Sequence, residues 1–366
     1  MANIIFHHPL PLNPQATSAS GIRPLQMIKA FEALGYQVDL VTGYAQERKE
    51  KIKQIKRNIA KGVKYELVYS ESSTMPTLMT EPHHLPTAPW LDFGFFRYLK
   101  QQGIKIGLFY RDIYWCFPEY ENTTNKLKAK IAKWFYRYDL RKYDELVDVL
   151  YLPSLKMAHY IPGAKSCRQL ELPPGHAVNA MPALATPSDA NAKLTLLYVG
   201  GLSAHYKMHQ LFNAMQALPN CRLVVCTRQF EWQKHGHEYQ PLADNIEIVH
   251  LSGDKLAQLY QQADIALLFV QPHEYWTFAA PVKLFEYIGY TKPIIASEGT
   301  LCADIVSQLN VGWRVNYDQA SFITLLQRLL AQPELLQQAR AQLAGIAAAH
   351  SWQGRAAQVV KDLTAI

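Results

Sequence analysis

No stretch of this sequence is apolar for the roughly 20 residues that a bilayer-crossing helix needs. Cysteine is scarce: Cys116, Cys167, Cys221, Cys226 and Cys302 are odd in number, scattered, and form no C-x-x-C. That argues against a disulfide framework and for reduced thiols in the cytoplasm. Met1–Phe6 lacks a basic n-region and a cleavable apolar h-region, so no secretory signal is expected. Asn122-Thr123-Thr124 matches a glycosylation acceptor, which without secretion carries no meaning. Residues 7–23 contain no G-x-G-x-x-G, which a dinucleotide enzyme would place after its first strand. A P-loop G-x-x-x-x-G-K-[ST] and a nucleophile-elbow G-x-S-x-G are also missing. The histidine pairs His7-His8, His83-His84 and His235/His237 lack carboxylate or cysteine partners at ligand spacing. They read as structural or surface residues, and no metal site is expected.

What is present describes a folded chain. Of 366 residues, 49% are hydrophobic and 18% charged, enough for two domains with a full core in each. The formal net charge is +7, unevenly spread. Arg48, Lys49, Lys51, Lys53, Lys56, Arg57, Lys61 and Lys64 form one basic run. A second, from Lys126 to Tyr143, interleaves lysine and arginine with Trp134, Phe135, Tyr136 and Tyr138. Cations among interfacial aromatics suit an anionic membrane surface; the competing reading is a solvated helix face. No nucleic-acid motif accompanies the charge, so no nucleic-acid partner is expected.

Short apolar strands alternate with helices in two successive blocks. In the first, Asn3–Phe6, Gln37–Thr42, Tyr65–Ser70, Ile104–Tyr110 and Val147–Leu152 read as strands, with a helix from about Pro24 to Leu34. The rhythm breaks between Pro173 and Asn191, where proline, alanine and small polar residues dominate. It restarts at Leu194–Val199 and continues through Arg222–Cys226, Ile246–His250, Ile265–Phe269 and Pro293–Ala296. Alternation of this kind specifies parallel sheets covered on both faces. The expectation is α/β: two Rossmann-like domains, 1–175 and 193–350, joined by a linker at 176–192 and followed by a C-terminal segment, 351–366.

The stretch "FAAPVKLFEYIGYTKPIIAS", Phe278–Ser297, carries the chemistry. Pro281 suits the first turn of a helix, where its missing N–H would be unsatisfied anyway. Val282, Leu284, Phe285, Ile288 and Gly289 face inward, while Lys283, Glu286 and Tyr290 share another side. A helix N-terminus favours an anion, Lys283 reinforces that preference, and Glu286 can accept two hydrogen bonds from vicinal hydroxyls. A pyrophosphate followed by a ribose has that order of charge. The alternative is a Lys283–Glu286 pair that only holds itself on the surface.

This stretch resembles the donor-binding signature of GT-B glycosyltransferases, particularly the family 4 group. "LLYVGGLSAHYKMHQLFNAM" (Leu196–Met215) is similar to the strand, glycine loop and lysine that open their C-terminal domain, and "LYQQADIALL" (Leu259–Leu268) to the elements before the signature. Ser351-Trp352 and the helix after them resemble the tail that crosses back to the N-terminal domain. The resemblance covers residues 194–300 well and the first half only in layout. It implies two domains facing a cleft and a nucleotide-sugar donor. Glu286 would hold the ribose as the second glutamate of E-x7-E. The backbone of Ala279, Ala280, Pro281 and Val282 would face the diphosphate beside Lys283. Gly200 and Gly201 would let backbone approach the phosphates, and Lys207 would neutralise the leaving diphosphate.

The chain also departs from that pattern. Phe278 stands where the first glutamate of E-x7-E would fall, and Gly201 replaces the usual loop arginine, for which Arg228 could substitute. On the acceptor side, "SASGIRP" (Ser18–Pro24) resembles the flexible glycine loop and puts Gly21 and Arg23 near the cleft, with an ordinary helix entry as the alternative. "LFYRDIYW" delivers Asp112 past a strand end as a candidate base or orienting group, with an Arg111–Asp112 structural pair as the alternative. With no D-x-D present, the expected activity is metal-independent with no cofactor, and the resemblance implies a retaining hexosyl transfer. The expected acceptor is a glycan or lipid-linked glycan in bacterial surface polysaccharide synthesis, at the cytoplasmic face of the plasma membrane. Two alternatives remain: a nucleotide-sugar epimerase and a non-catalytic nucleotide-binding partner subunit.

Overall fold

Buried strands and amphipathic helices alternate along the chain to build two parallel six-stranded sheets. The computed structural model describes residues 2–16, 18–123, 125–177, 193–203 and 206–365. The chain divides into two units, 1–174 with 352–366, and 175–351. Most of the expected linker, 178–192, lies outside the described residues.

The first unit runs β1 (Asn3–His8), α1 (Ala19–Ala33), β2 (Gln37–Thr42), α2 (Ala45–Ala60), β3 (Tyr65–Glu71), α3 (Leu91–Gln101), β4 (Lys105–Phe109), α4 (Pro118–Thr123), α5 (Lys126–Leu146), β5 (Val149–Leu152) and β6 (Arg168–Glu171). Its sheet order is β2-β1-β3-β4-β5-β6. The central strands are buried on both faces, as a parallel sheet demands: Ile4, Phe6, Leu67, Val149 and Leu150 are wholly inaccessible. The polar edge strand β6 (RQLE) carries no apolar periodicity, and so has no strand signal in the sequence.

Helix α1 starts five residues earlier than expected. Ser18 caps it, its hydroxyl accepting from the Gly21 amide at 3.3 Å, so "SASGIRP" is the helix's opening and not a flexible loop. In α2, Arg48 is an exception to the expected surface run. It is buried, and its guanidinium grips Asp92 at 2.8 and 3.0 Å, with His7 donating from Nε2 to the same carboxylate at 3.0 Å.

The second unit runs β7 (Leu194–Val199), α6 (His209–Met215), β8 (Cys221–Cys226), α7 (Gln229–His235), β9 (Ile246–Val249), α8 (Gly253–Gln262), β10 (Ile265–Leu268), α9 (Val282–Gly289), β11 (Ile294–Ser297), α10 (Leu301–Leu309), β12 (Gly312–Val315), α11 (Gln319–Ala331) and α12 (Glu334–Ile346). The strand order is β12-β11-β10-β7-β8-β9, with one apolar cluster on each face. Gly289 is required by close approach: a Cβ there would lie 2.4 Å from the ring of His176.

The last helix, α13 (Trp352–Thr364), belongs to the first unit. Ala356, Val359 and Leu363 join the cluster built by Phe6, Met27 and Phe31. Gly107 of β4 makes the seat, since a Cβ on it would sit 2.9 Å from Leu363.

Candidate functional site

In the second sheet the direction of winding reverses between β7 and β10, which are neighbours. Open α/β sheets bind ligands outside the carboxyl ends of strands at such a point. Two segments leave those strand ends here: the glycine loop after β7 and residues 269–281 after β10. They touch, with the Gln271 amide donating to the Lys207 carbonyl at 2.8 Å and the rings of Tyr206 and Trp276 4.9 Å apart. Residues that are 60–80 positions apart in sequence are thereby brought to one place.

Helix α9 begins at Val282, with Pro281 as its N-cap and not its first helical residue. The amides of Val282 and Lys283 therefore have no intrahelical acceptor and carry the positive end of the helix dipole. Leu284, Phe285, Tyr287 and Ile288 are buried, which anchors the helix; Lys283 and Glu286 remain 30% exposed. Lys283 Nζ lies 2.7 Å from Glu286 Oε2, and Tyr260 donates its hydroxyl to the same oxygen at 2.7 Å. Oε1 takes no partner among the described residues. Tyr260 itself is buried and stacked on Tyr290 at 4.3 Å; burial, then the Glu286 charge, pushes its hydroxyl pKa far up. The carboxylate is thus held by a phenol that stays a donor, a contact invisible in the sequence because the two residues lie on different helices.

The glycine loop is shaped by its neighbours. A Cβ on Gly200 would be 2.6 Å from the hydroxyl of Tyr198, which donates to the Gly201 carbonyl at 2.9 Å. Glu231 was not foreseen. One of its oxygens accepts from the Leu202 amide at 3.2 Å and from Thr227 at 3.3 Å, and the other pairs with Arg228 at 3.1 Å. Arg228 is 64% exposed, so the cation expected to replace the loop arginine is held by an adjacent carboxylate. The Lys207 carbonyl is fixed by Gln271 and by the Tyr317 hydroxyl at 2.9 Å, while its residue stays half-buried. Ala279 and Ala280 are half-buried ahead of the helix mouth. Phe278 is 2% exposed and packs on Tyr275 at 5.1 Å, so the position of the motif's first glutamate is part of the core.

In the first unit a cavity of about 350 Å³ opens where β1, β3 and β4 end, lined by His8, Asn13, Ser18, Gly21, Thr74 and Arg111 among others. His8 donates from Nδ1 to the Glu71 carbonyl at 3.0 Å. Burial, with Arg111, His7 and Arg48 adding to it, lowers its pKa to about 3 against the Glu71 bond, so the ring is neutral and Nε2 keeps a lone pair.

Two expectations are corrected here. Arg23 is 4% exposed, lies 3.2 Å from Glu71, bonds the carbonyls of Leu172 and Pro173, and stacks over Phe109 at 3.5 Å. It is an internal brace, because α1 turns it under the sheet's end. Arg111 pairs with the wholly buried Glu71 at 3.0 Å. Asp112 Oδ1 accepts from the amides of Ile113 and Tyr114 at 2.7 and 3.0 Å, holding the turn that follows β4. Glu71, clamped between two arginines, is a further residue that sequence reasoning missed.

Residues 186–344 match the family model described as Glycosyl transferases group 1. The second unit thus resembles a group 1 glycosyl transferase domain. Three solved structures extend the likeness to the whole chain. Sucrose-phosphate synthase from Thermosynechococcus elongatus shares 16% identity over 99% of this chain and 98% of its own, with a TM-score of 0.62. Anabaena HepE in complex with UDP shares 12% over 100% of both chains, TM-score 0.65. WaaG, a glycosyltransferase involved in lipopolysaccharide biosynthesis, shares 14% over 100% of both, TM-score 0.53. At such identities the likeness establishes the fold, which is the two-domain GT-B fold of glycosyltransferases. No curated protein sequence matches.

Proposed function

We propose that this protein transfers a hexose from a nucleoside diphosphate donor to a glycan or lipid-linked glycan. The observation that carries the reading is the α9 mouth at the β7/β10 switch point, where free amides, Lys283 and Glu286 follow one another. In this reading the diphosphate lies on the amides of Ala280, Val282 and Lys283, facing Gly200 and Gly201, and Lys207 and Lys283 offset the charge of the departing phosphates. Glu286 turns Oε1 to the ribose diol while Tyr260 steadies Oε2. HepE has been captured with UDP and with UDP-glucose, which supports a nucleotide-sugar donor here. The chemistry is read as metal-independent and retaining, the departing phosphate assisting deprotonation of the acceptor. WaaG supports a role in bacterial surface polysaccharide synthesis, on the cytoplasmic side, against an anionic membrane surface.

A thermal-shift series with UDP-, GDP- and dTDP-sugars tests the donor. One nucleotide class should raise the unfolding temperature, by mass action on the folded state. No shift with any would remove the donor site. The buried Phe278 favours one second reading, a nucleotide-binding partner subunit, for which donor would bind without turnover in the presence of any glycan acceptor.

A further inference from the structure

Helix α5 carries an apolar ridge on the side facing away from its own core. Its buried side is made of Ala129, Ala132, Tyr136, Asp139, Leu140, Tyr143 and Leu146. Leu127, Ile131 and Trp134 are 67%, 45% and 55% exposed. At 3.6 residues per turn these three fall within about 60° of one another and about 150° from the middle of the buried side. A helix that covers one domain should place charge there. Trp134 is also held rigid, stacked on Tyr138 at 5.9 Å, which in turn packs edge-on against Phe93 of α3 at 5.7 Å.

The charges beside the ridge all have one sign. Lys126, Lys128, Lys130, Arg137 and Arg141 are exposed. The acidic groups of α5 are occupied elsewhere: Asp139 is buried, Asp144 takes the amides of Ser166 and Cys167, and Glu145 is bridged by Arg97 and Lys142. A second copy of this face would set cations against cations, so self-association is disfavoured. α2 differs: its exposed lysines have no apolar ridge among them, only buried Ile52 and Ile55.

We propose that α5 seats this protein on an anionic bilayer by embedding the ridge Leu127, Ile131 and Trp134 at the headgroup boundary. The flanking lysines and arginines rest on lipid phosphates. This deepens the reading of the protein as peripheral to a membrane: it assigns the contact to α5 and makes it partly hydrophobic, where charge alone would give a wholly salt-sensitive contact. Basic side chains next to the ridge draw the helix to the surface, and the tryptophan and aliphatic side chains hold it there.

The test uses the full chain and vesicles of phosphatidylcholine, pure or mixed with phosphatidylglycerol. Wild type should co-sediment with the mixed vesicles, bind pure phosphatidylcholine far less, and keep part of its binding near molar salt, where screening falls to about 3 Å. Brominated acyl chains should quench part of the tryptophan fluorescence, and Trp134→Phe should remove that part. The triple variant Leu127→Ser/Ile131→Ser/Trp134→Ser should bind mixed vesicles about tenfold more weakly or worse, with an unchanged unfolding midpoint. Binding by the triple variant equal to wild type would overturn the proposal. So would complete release by salt with no quenching, or a ridge-dependent dimer without vesicle binding. Should the triple variant unfold, quenching lost in Trp134→Phe alone still decides. The thermal shift by nucleotide-sugars is measured in parallel. Vesicle binding without any nucleotide shift removes the transferase reading and leaves the membrane face; the reverse removes only the membrane face.

Discussion

At the scale of single residues, the same side chains admit a resting and a working role. Lys283 and Glu286 neutralise each other at 2.7 Å, the arrangement expected of a simple surface pair, yet Glu286 keeps one oxygen open and Tyr260 holds the other. Lys283→Ala and Glu286→Ala should each weaken nucleotide-sugar binding by about 1–3 kcal/mol in calorimetry, since each removes a charged contact. Their unfolding curves should move much less, because an exposed i,i+3 pair contributes little to stability. Wild-type affinity in both variants would return the pair to a surface role.

Asp139 shows the opposite case, a buried carboxyl with no charge partner. Its Oδ2 accepts from the Thr77 amide at 2.7 Å, and its Oδ1 has no hydrogen-bond partner among the described residues. Burial raises its pKa to about 7, against the Thr77 bonds and with Asp92 adding to the rise. Because the folded value lies above the unfolded one, its favourable contribution is complete below about pH 4 and is lost as pH rises through 7. Asp139→Asn should therefore match or trail wild type in urea melts near pH 4 and exceed it at pH 8, by an amount on the order of a few kcal/mol. A difference independent of pH would show that this carboxyl does not titrate in the folded protein.

At the scale of elements, the final helix is the one on which the first core most depends. Trp352, Val359 and Leu363 are buried on it, at about 2 kcal/mol or more each, which together rivals the net stability of an ordinary domain. A chain ending at Ser351 should lose cooperative unfolding of the first unit by calorimetry while the second unit still melts as before. A single unchanged transition would contradict that dependence. The helices α2 and α5 are both rich in lysine. The aromatics of α5 already set it apart in sequence, and contacts complete the difference: α2 sends Arg48 inward to Asp92, and α5 leaves a tryptophan and two aliphatic side chains facing out.

At the scale of the whole molecule, the cationic groups beside the glycine loop and the α9 mouth are proposed to do what a divalent ion does in D-x-D enzymes. Turnover should accordingly survive excess EDTA, and a strict need for Mg²⁺ or Mn²⁺ would mean that the phosphate site is misassigned.

The sequence by itself determined the α/β class, the two sheets and the segment Phe278–Ser297, because apolar strand runs and helix-terminal chemistry are local signals that survive without a partner. It also placed Lys283 and Glu286 on one side of a helix, a matter of spacing alone. Only the tertiary structure decided that Arg23 is an internal brace and that Arg111 reaches Glu71 on the neighbouring strand. It alone brought Glu231 against the glycine loop and Tyr260 against Glu286, and gave β6 its place at the sheet edge. Each of these is a contact between residues distant in sequence, or an edge strand with no apolar period. Charge and hydrogen-bonding capacity are written in the residue; the partner that uses them is chosen by the packing.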